Sequence, residues 1–242
     1  MGNSPLNSKT LGVWRLESVN VRYFLSLRIG FIRQFYTTAS TPYIERKSKI
    51  EAEEEPFIPP YSEDGEPPFL EEWIESDESL HILAYSCVSM LAAALHLFFE
   101  SWVKQSGIAV EESLKELVFK KQGWFAGYKT HFAQHFNVVF EDGPANLEIL
   151  EEVVLARNRI EHPSSITSRR TQYADSDLKK LRHPFFVDER ESALLTDADD
   201  DKSWLMPPTL HVTEAQLFAA VSEVERFSEW FETAIEAKVY VQ

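Results

Sequence analysis

Residues 82–99 read ILAYSCVSMLAAALHLFF, an apolar stretch that any fold of this chain has to bury. It is almost long enough to span a bilayer. It nevertheless contains Ser86, Ser89, His96 and several alanines, and acids rather than a basic anchor flank it. Those features predict the central helix of a water-soluble core, with no membrane partner. Ser76 or Asp77 can cap its start, and it runs to about Gln105 with Gly107 as its stop. A chain of 242 residues that is 44% hydrophobic and 13% aromatic has enough apolar mass to surround such a helix.

Three more helices follow in the pattern. One starts near Glu111 and reaches about Phe136, with breaks expected around Gly123 and Gly127. The next begins after the Asp142-Gly143-Pro144 turn and carries Leu147, Ile149, Leu150, Val153 and Val154 toward His162. Pro163 ends it, because a residue preceding proline is pushed out of the α region. The last is announced by Thr213 and carries Leu217, Phe218, Val221, Val224, Phe227, Trp230, Phe231 and Ile235 at helical spacing. Between the third and last helices, residues 163–210 form a long polar connection, in which Phe185–Asp188 and Leu210–Val212 are expected to pair as short strands. There is no internal repeat. The expected fold class is all-α, a bundle of four to five helices with one long crossover, a short β-hairpin element and an extended N-terminal arm.

That arm is read from residues 19–31, VNVRYFLSLRIGF, where every odd position is apolar. Period two predicts a half-buried strand. Residues 40–72 hold six prolines and an acidic run, and are expected to be a linker or an irregular wrapping segment. The chain is therefore divided into residues 1–72, an arm and acidic Pro-rich linker, and residues 73–242, the helical domain.

The formal charge of −15 argues against nucleic-acid binding by the whole surface, since phosphate contacts need cations. Its distribution is uneven. Residues 1–49 hold 8 basic and 2 acidic side chains, and residues 50–80 hold 12 acidic and no basic ones. Residues 157–182 hold 7 basic side chains (Arg157, Arg159, Arg169, Arg170, Lys179, Lys180 and Arg182) against 3 acidic, a local cationic patch. The single cysteine, Cys87, excludes an internal disulfide and a thiolate zinc site within one chain, and its apolar surroundings predict an inert thiol. No secretory signal pattern is seen, and Leu6 stands where a myristoylation signal wants Ser or Thr, so a cytoplasmic protein is expected.

GxGxxG, P-loop, HExxH, GxSxG and Cys/His zinc spacings are absent from the sequence, and no cofactor or metal is expected. His131 and His135 are four residues apart on an expected helix, but no third ligand stands at motif spacing. His96, on a strongly apolar helix, is expected to be a core residue.

His162 stands apart by its position. At the end of a helix, orphan carbonyls and the negative end of the macrodipole favour an imidazolium, which can act as a general acid. Asn158 is one turn back on the same face. Arg157 is five residues back, about 140° around an ideal helix, so the two cannot meet side by side on one regular helix. Either the helix end unwinds at Pro163 or two copies of the motif meet across a dimer interface. On the plainer reading, Arg157 pairs with Glu161 one turn on, and the basic residues simply end a helix well.

The stretch Arg157-Asn158-Arg159-Ile160-Glu161-His162 resembles the Arg-X4–6-His signature of HEPN domains (higher eukaryotes and prokaryotes nucleotide-binding). The order of elements over residues 73–240 is similar: two long helices, a helix ending in the motif, an insertion and a final amphipathic helix. The resemblance implies a dimerising α-helical bundle with two motifs at the interface. In catalytic members it implies a metal-independent endoribonuclease, in which the ribose 2′-OH attacks its own phosphodiester and leaves a 2′,3′-cyclic phosphate. Arg157 would then hold the scissile phosphate, His162 would act as general acid or base, and Asn158 would orient them. Arg159, Arg169, Arg170, Lys179, Lys180 and Arg182 would contact the substrate. RNA or a nucleotide, a second copy of the chain and an antitoxin protein are the expected partners, in a toxin, phage-defence or stress-response setting. Two features depart from the family pattern: Pro163-Ser164 follows the histidine, where toxin-type members often continue helically with a nearby tyrosine that Tyr173 lies too far along to replace, and the chain is strongly acidic for a dedicated ribonuclease. The alternative is a non-catalytic nucleotide- or RNA-binding or dimerisation module.

Overall fold

A computed structural model describes residues 20–61, 67–163, 170–181, 183–191 and 207–239. Its architecture is all-α. The expected strand at residues 19–31 is instead part of α1 (Val21–Glu51), capped by Asn20, whose side chain accepts a hydrogen bond from the Tyr23 amide at 2.8 Å. The period-two pattern misled because α1 is apolar on two faces. Val21, Leu25, Ile29, Ile32, Tyr36 and Ser40 are buried at intervals of three and four, while Tyr23, Phe24, Leu27 and Phe31 point outward. Arg22 and Arg33 lie along a common flank, bonded to Glu232 at 2.6 Å and Glu225 at 2.8 Å. Residues 20–51 therefore belong to the bundle, and the irregular acidic connection shrinks to the stretch between α1 and the next helix.

That helix, α2 (Leu70–Ser106), is the core element. It starts six residues before Ser76, which is buried inside it and donates to the Glu72 carbonyl. It stops as expected at Gly107, whose φ of 74° is left-handed. α2 is long and apolar enough to cross a membrane by length and composition, and 61% of its most apolar window is buried within the protein. It runs antiparallel to α1, with Lys47 bonded to Asp77 at 2.6 Å at one end, and Leu27 and Phe31 beside Met90 and Ala93 toward the other.

The third segment comprises α3 (Glu112–Leu114), a π turn over Lys115–Phe119, α4 (Lys120–Gln122) and α5 (Trp124–Phe136). It breaks at Gly123, with φ of 100°. Gly127 continues the helix instead, and its need is steric: a Cβ there would run into the Phe119 ring. α6 (Leu147–Glu161) is capped by Asn146, which accepts from the Glu148 amide at 3.0 Å. α7 (Asp175–Leu178) is a single turn in the insertion. α8 (Glu214–Val239) opens with a capping box, Gln216 N donating to Thr213 Oγ1 at 3.2 Å and Thr213 N donating to Gln216 Oε1 at 2.9 Å.

Phe99 of α2, Phe132 of α5, Phe140 of a 3-10 turn over Phe140–Asp142, and Phe227 and Phe231 of α8 are fully buried and share ring contacts. The expected hairpin does not form a strand among the described residues. Its pairing is reduced to one hydrogen bond, His211 N to Phe186 O at 2.8 Å, and a separate isolated antiparallel bridge joins Gln172 to Thr209 outside both expected strands. Side chains rather than a ladder hold the insertion in place.

Candidate functional site at the end of α6

The C-terminal turn of α6 carries the Arg-Asn-X-X-X-His stretch. His162 is its C-cap, with φ −127° and ψ 64°, and its amide still donates to the Asn158 carbonyl at 3.2 Å. Pro163 prevents a further turn. His162 and Pro163 are exposed, and they line an open cleft of about 200 Å³ together with Arg159, Arg170, Gln172 and Tyr173.

Arg157 does not line that cleft. It forms an ion pair with Glu161 one turn on, and its Nη1 donates to Asn158 Oδ1 at 3.1 Å. Its charge is felt by His96 of α2, whose pKa is lowered chiefly by burial and in smaller part by Arg157. The five-residue offset thus acts as helical geometry requires: within one chain the structure does not bring Arg157 and His162 together. The i,i+4 pairing that competes with an RNA-binding role is formed.

Arg159 does share the cleft with His162. Its fork is bidentate on the buried Asp177, Nε at 2.5 Å and Nη2 at 3.0 Å, which raises the arginine pKa. Arg170 reaches Asp77 at 2.9 Å and Glu78 at 3.7 Å. Burial alone would raise the Asp77 carboxyl, but Lys47, His81 and Arg170 around it hold it below the usual range. Lys179 and Lys180 are exposed on the turn after α7 and do not line the cleft, and Lys180 Nζ instead reaches the Gln122 carbonyl at 3.5 Å. Arg169 and Arg182 lie outside the described residues.

Sequence reasoning missed the group that anchors Tyr173 of the cleft lining. Glu152 of α6 is 1% exposed and accepts four contacts: Tyr173 Oη at 2.5 Å, Phe186 N at 2.7 Å, and Phe185 N at 2.8 and 2.7 Å to its two oxygens. Burial raises its pKa, against the opposing effect of these donors. This one carboxylate clamps Tyr173, Phe185 and Phe186 of the insertion onto α6, and Tyr173 in turn lines the cleft. Its signal was present: Glu152 lies one turn from both Ile149 and Ala156, on the apolar side of its helix. Tyr173 is the clamp's donor, so its hydroxyl points at Glu152 rather than at His162.

A second clip fastens the chain entering α8. His81 Nδ1 donates to the Asp77 carbonyl at 2.8 Å, and its Nε2 lies 3.0 Å from His211 Nδ1. Tyr85 Oη donates to Leu210 O at 2.5 Å. Elsewhere, His131 is buried beside His135 with neither ring nitrogen hydrogen-bonded, and burial brings its pKa down to about 4. His96 packs on Trp124 and Tyr128. Among the described residues no three metal-type ligands are placed to hold an ion. Cys87 is fully buried, and burial pushes its thiol up to about 11.

Comparison with protein-family models, curated proteins and solved structures finds no match.

Proposed function

We propose that this chain is a HEPN-like, metal-independent endoribonuclease of the cytoplasm, acting in a toxin, defence or stress-response role. The observation that carries the reading is the placement of His162: a solvent-facing imidazole at a helix end, in an open cleft lined by the guanidinium-bearing Arg159 and Arg170. A phosphodiester in that cleft meets the N–H groups of two guanidiniums that already pair with Asp177, Asp77 and Glu78, beside an imidazole placed to move a proton. The 2′-OH attacks the adjacent phosphorus as its proton leaves, and the 5′-oxygen departs as it gains one. His162 serves one of these transfers.

Arg157 stabilises the developing phosphorane charge only if it comes from a second copy, because its own His162 lies on the other flank of α6. A site composed of His162 from one copy and Arg157 from the other follows from that offset. Binding RNA then requires Arg157 to exchange Glu161 for phosphate, an exposed pair whose loss costs only a few tenths of a kcal/mol.

The test is cleavage of mixed RNA by purified protein in EDTA. Wild type is expected to release 2′,3′-cyclic phosphate ends. His162→Ala and Arg157→Ala are each expected to lose on the order of a hundredfold or more in rate. Mixing the two inactive variants is expected to restore part of the activity, since half of the mixed sites then hold both groups. Intact RNA after incubation with wild type would sink the nuclease reading. The Arg157–Glu161 pair favours a second reading, a non-catalytic RNA- or nucleotide-binding module. Its mark is binding without cleavage that weakens in Arg159→Ala and Arg170→Ala but not in Arg157→Ala.

A further inference from the structure

Arg159 lines the cleft beside His162, and the carboxylate that holds it does not. Asp177 is only 3% exposed, so it grips the guanidinium from behind, inside the protein. An arginine has five N–H donors fixed in one plane. Asp177 takes the Nε–H at 2.5 Å and an Nη2–H at 3.0 Å, the two donors of one edge. Nη2 also reaches Ser176 Oγ, at the long distance of 3.4 Å. Nη1 has no partner among the described residues. The end of the plane, formed by Nη1 and the outer Nη2–H, is therefore a second fork that stays available while the first is engaged. Such a fork matches two oxygens of a phosphate.

A carboxylate beside this cation weakens its long-range pull on phosphate, so the pairing has to help in another way. A loose arginine spreads over many rotamers, and fixing one at the moment of binding costs affinity. Asp177 has already fixed it. The carboxylate is itself held, since its Oδ2 also accepts from the Ala174 amide at 3.2 Å. The wall opposite His162 is tied down as well. Leu210 N donates to Thr171 O at 2.8 Å, Tyr173 N donates to Pro208 O at 3.1 Å, and the Tyr173 hydroxyl is bound to Glu152. Arg159 thus stands in a frame that positions it before any ligand arrives.

We propose that Asp177 is a positioning residue, which presents the outer edge of Arg159 as a preset fork for the phosphodiester lying against His162. The ligand, an RNA phosphate, is taken from the ribonuclease reading, on which the assignment rests. The Arg159 fork comes from the same chain as His162, so it orients the phosphate whether or not Arg157 reaches it from a second copy.

The test measures binding rather than cleavage, with the full chain and a fluorescein-labelled 2′-deoxy oligonucleotide, which has the phosphates and lacks the attacking hydroxyl. Asp177→Asn can keep one oxygen for the Ala174 amide and the Arg159 Nε–H, but turns an amide N–H toward Nη2. The inner fork is lost while the protein becomes one charge less negative. Affinity by fluorescence anisotropy is expected to fall about tenfold. Charge alone predicts the opposite sign, so unchanged or tighter binding would overturn the assignment. In an Arg159→Ala background the same substitution is expected to have no weakening effect, and an equal loss there would also overturn it, because Asp177 would then act through the fold. If Asp177→Asn does not fold, Arg159→Lys decides: an ammonium keeps the charge without two forks, so it is expected to bind as weakly as Arg159→Ala, and wild-type affinity would overturn the assignment. So would a wild type that does not bind the oligonucleotide. A wild type that leaves RNA intact, yet loses oligonucleotide affinity on Asp177→Asn, would remove the ribonuclease reading and leave Asp177 in its place as the residue that aims a phosphate-binding arginine.

Discussion

The buried ionisable side chains divide between those that are fully engaged and those that are not, and the two groups predict different behaviour. Glu152 holds a tyrosine hydroxyl and two backbone amides. Glu152→Ala removes every acceptor at once and is expected to cost about 2–4 kcal/mol, read as a fall in the denaturant midpoint. His131 has no hydrogen-bond partner and is held neutral by burial, with a pKa of about 4 against an ordinary 6.5. Its pKa is depressed, so between those values the unfolded chain binds a proton that the folded chain refuses. Stability is therefore expected to be constant above pH 6.5 as far as this group is concerned, and to fall on acidification toward pH 4 by up to about 1.4 kcal/mol per unit. His131→Leu is expected to flatten that part of the curve in urea titrations at stepped pH, and an unchanged slope would show that the imidazole is not the source. The sequence made Arg157, Asn158 and His162 visible because a proline fixes where their helix ends. It left Arg159 as one cation among seven, because the carboxylate that binds it, Asp177, is 18 residues away.

Among the elements, helix ends were legible at Gly107, Gly123, Pro163 and Thr213, but not at the start of α2, where Ser76 has a capping residue type yet lies inside a helix that begins at Leu70 with no side-chain cap. α1 was not legible, because its second apolar face faces outward and disguises a helical period as an alternating one. The strands expected at 185–188 and 210–212 failed for the opposite reason. Their backbone groups are satisfied by Glu152, Gln216 and single bridging bonds, so no ladder is needed. Gly127 gives the element-scale prediction. The Phe119 ring fills the space of its missing side chain, and Gly127→Ala forces the π turn and α5 apart. The expected cost is about 1–3 kcal/mol by thermal melting, despite alanine's better helix propensity. A stabilised variant would mean that the π turn yields freely.

For the whole molecule, the bundle is centred on one helix, and its aromatic cluster is the main store of stability. Phe231→Ala opens a void among Phe99, Phe132, Phe140 and Phe227, and is expected to cost about 3–5 kcal/mol by chemical denaturation. All-α packing was legible from helical spacing over residues 82–99 and 217–235, but the contribution of α1 to the same bundle was not, since it depends on contacts with α2 and α8 that no local pattern encodes. α2 carries a further liability. Its central window is long and apolar enough, by length and composition, to enter a bilayer, and 61% of it is buried inside the folded protein. Once heat parts the surrounding helices, the released segment has two ways to hide its surface: coalescing with other chains or dissolving into an amphiphile. Refolding on cooling then competes with a concentration-dependent loss to precipitate, so the apparent melting point tracks scan rate, and mild detergent diverts the opened chain into micelles.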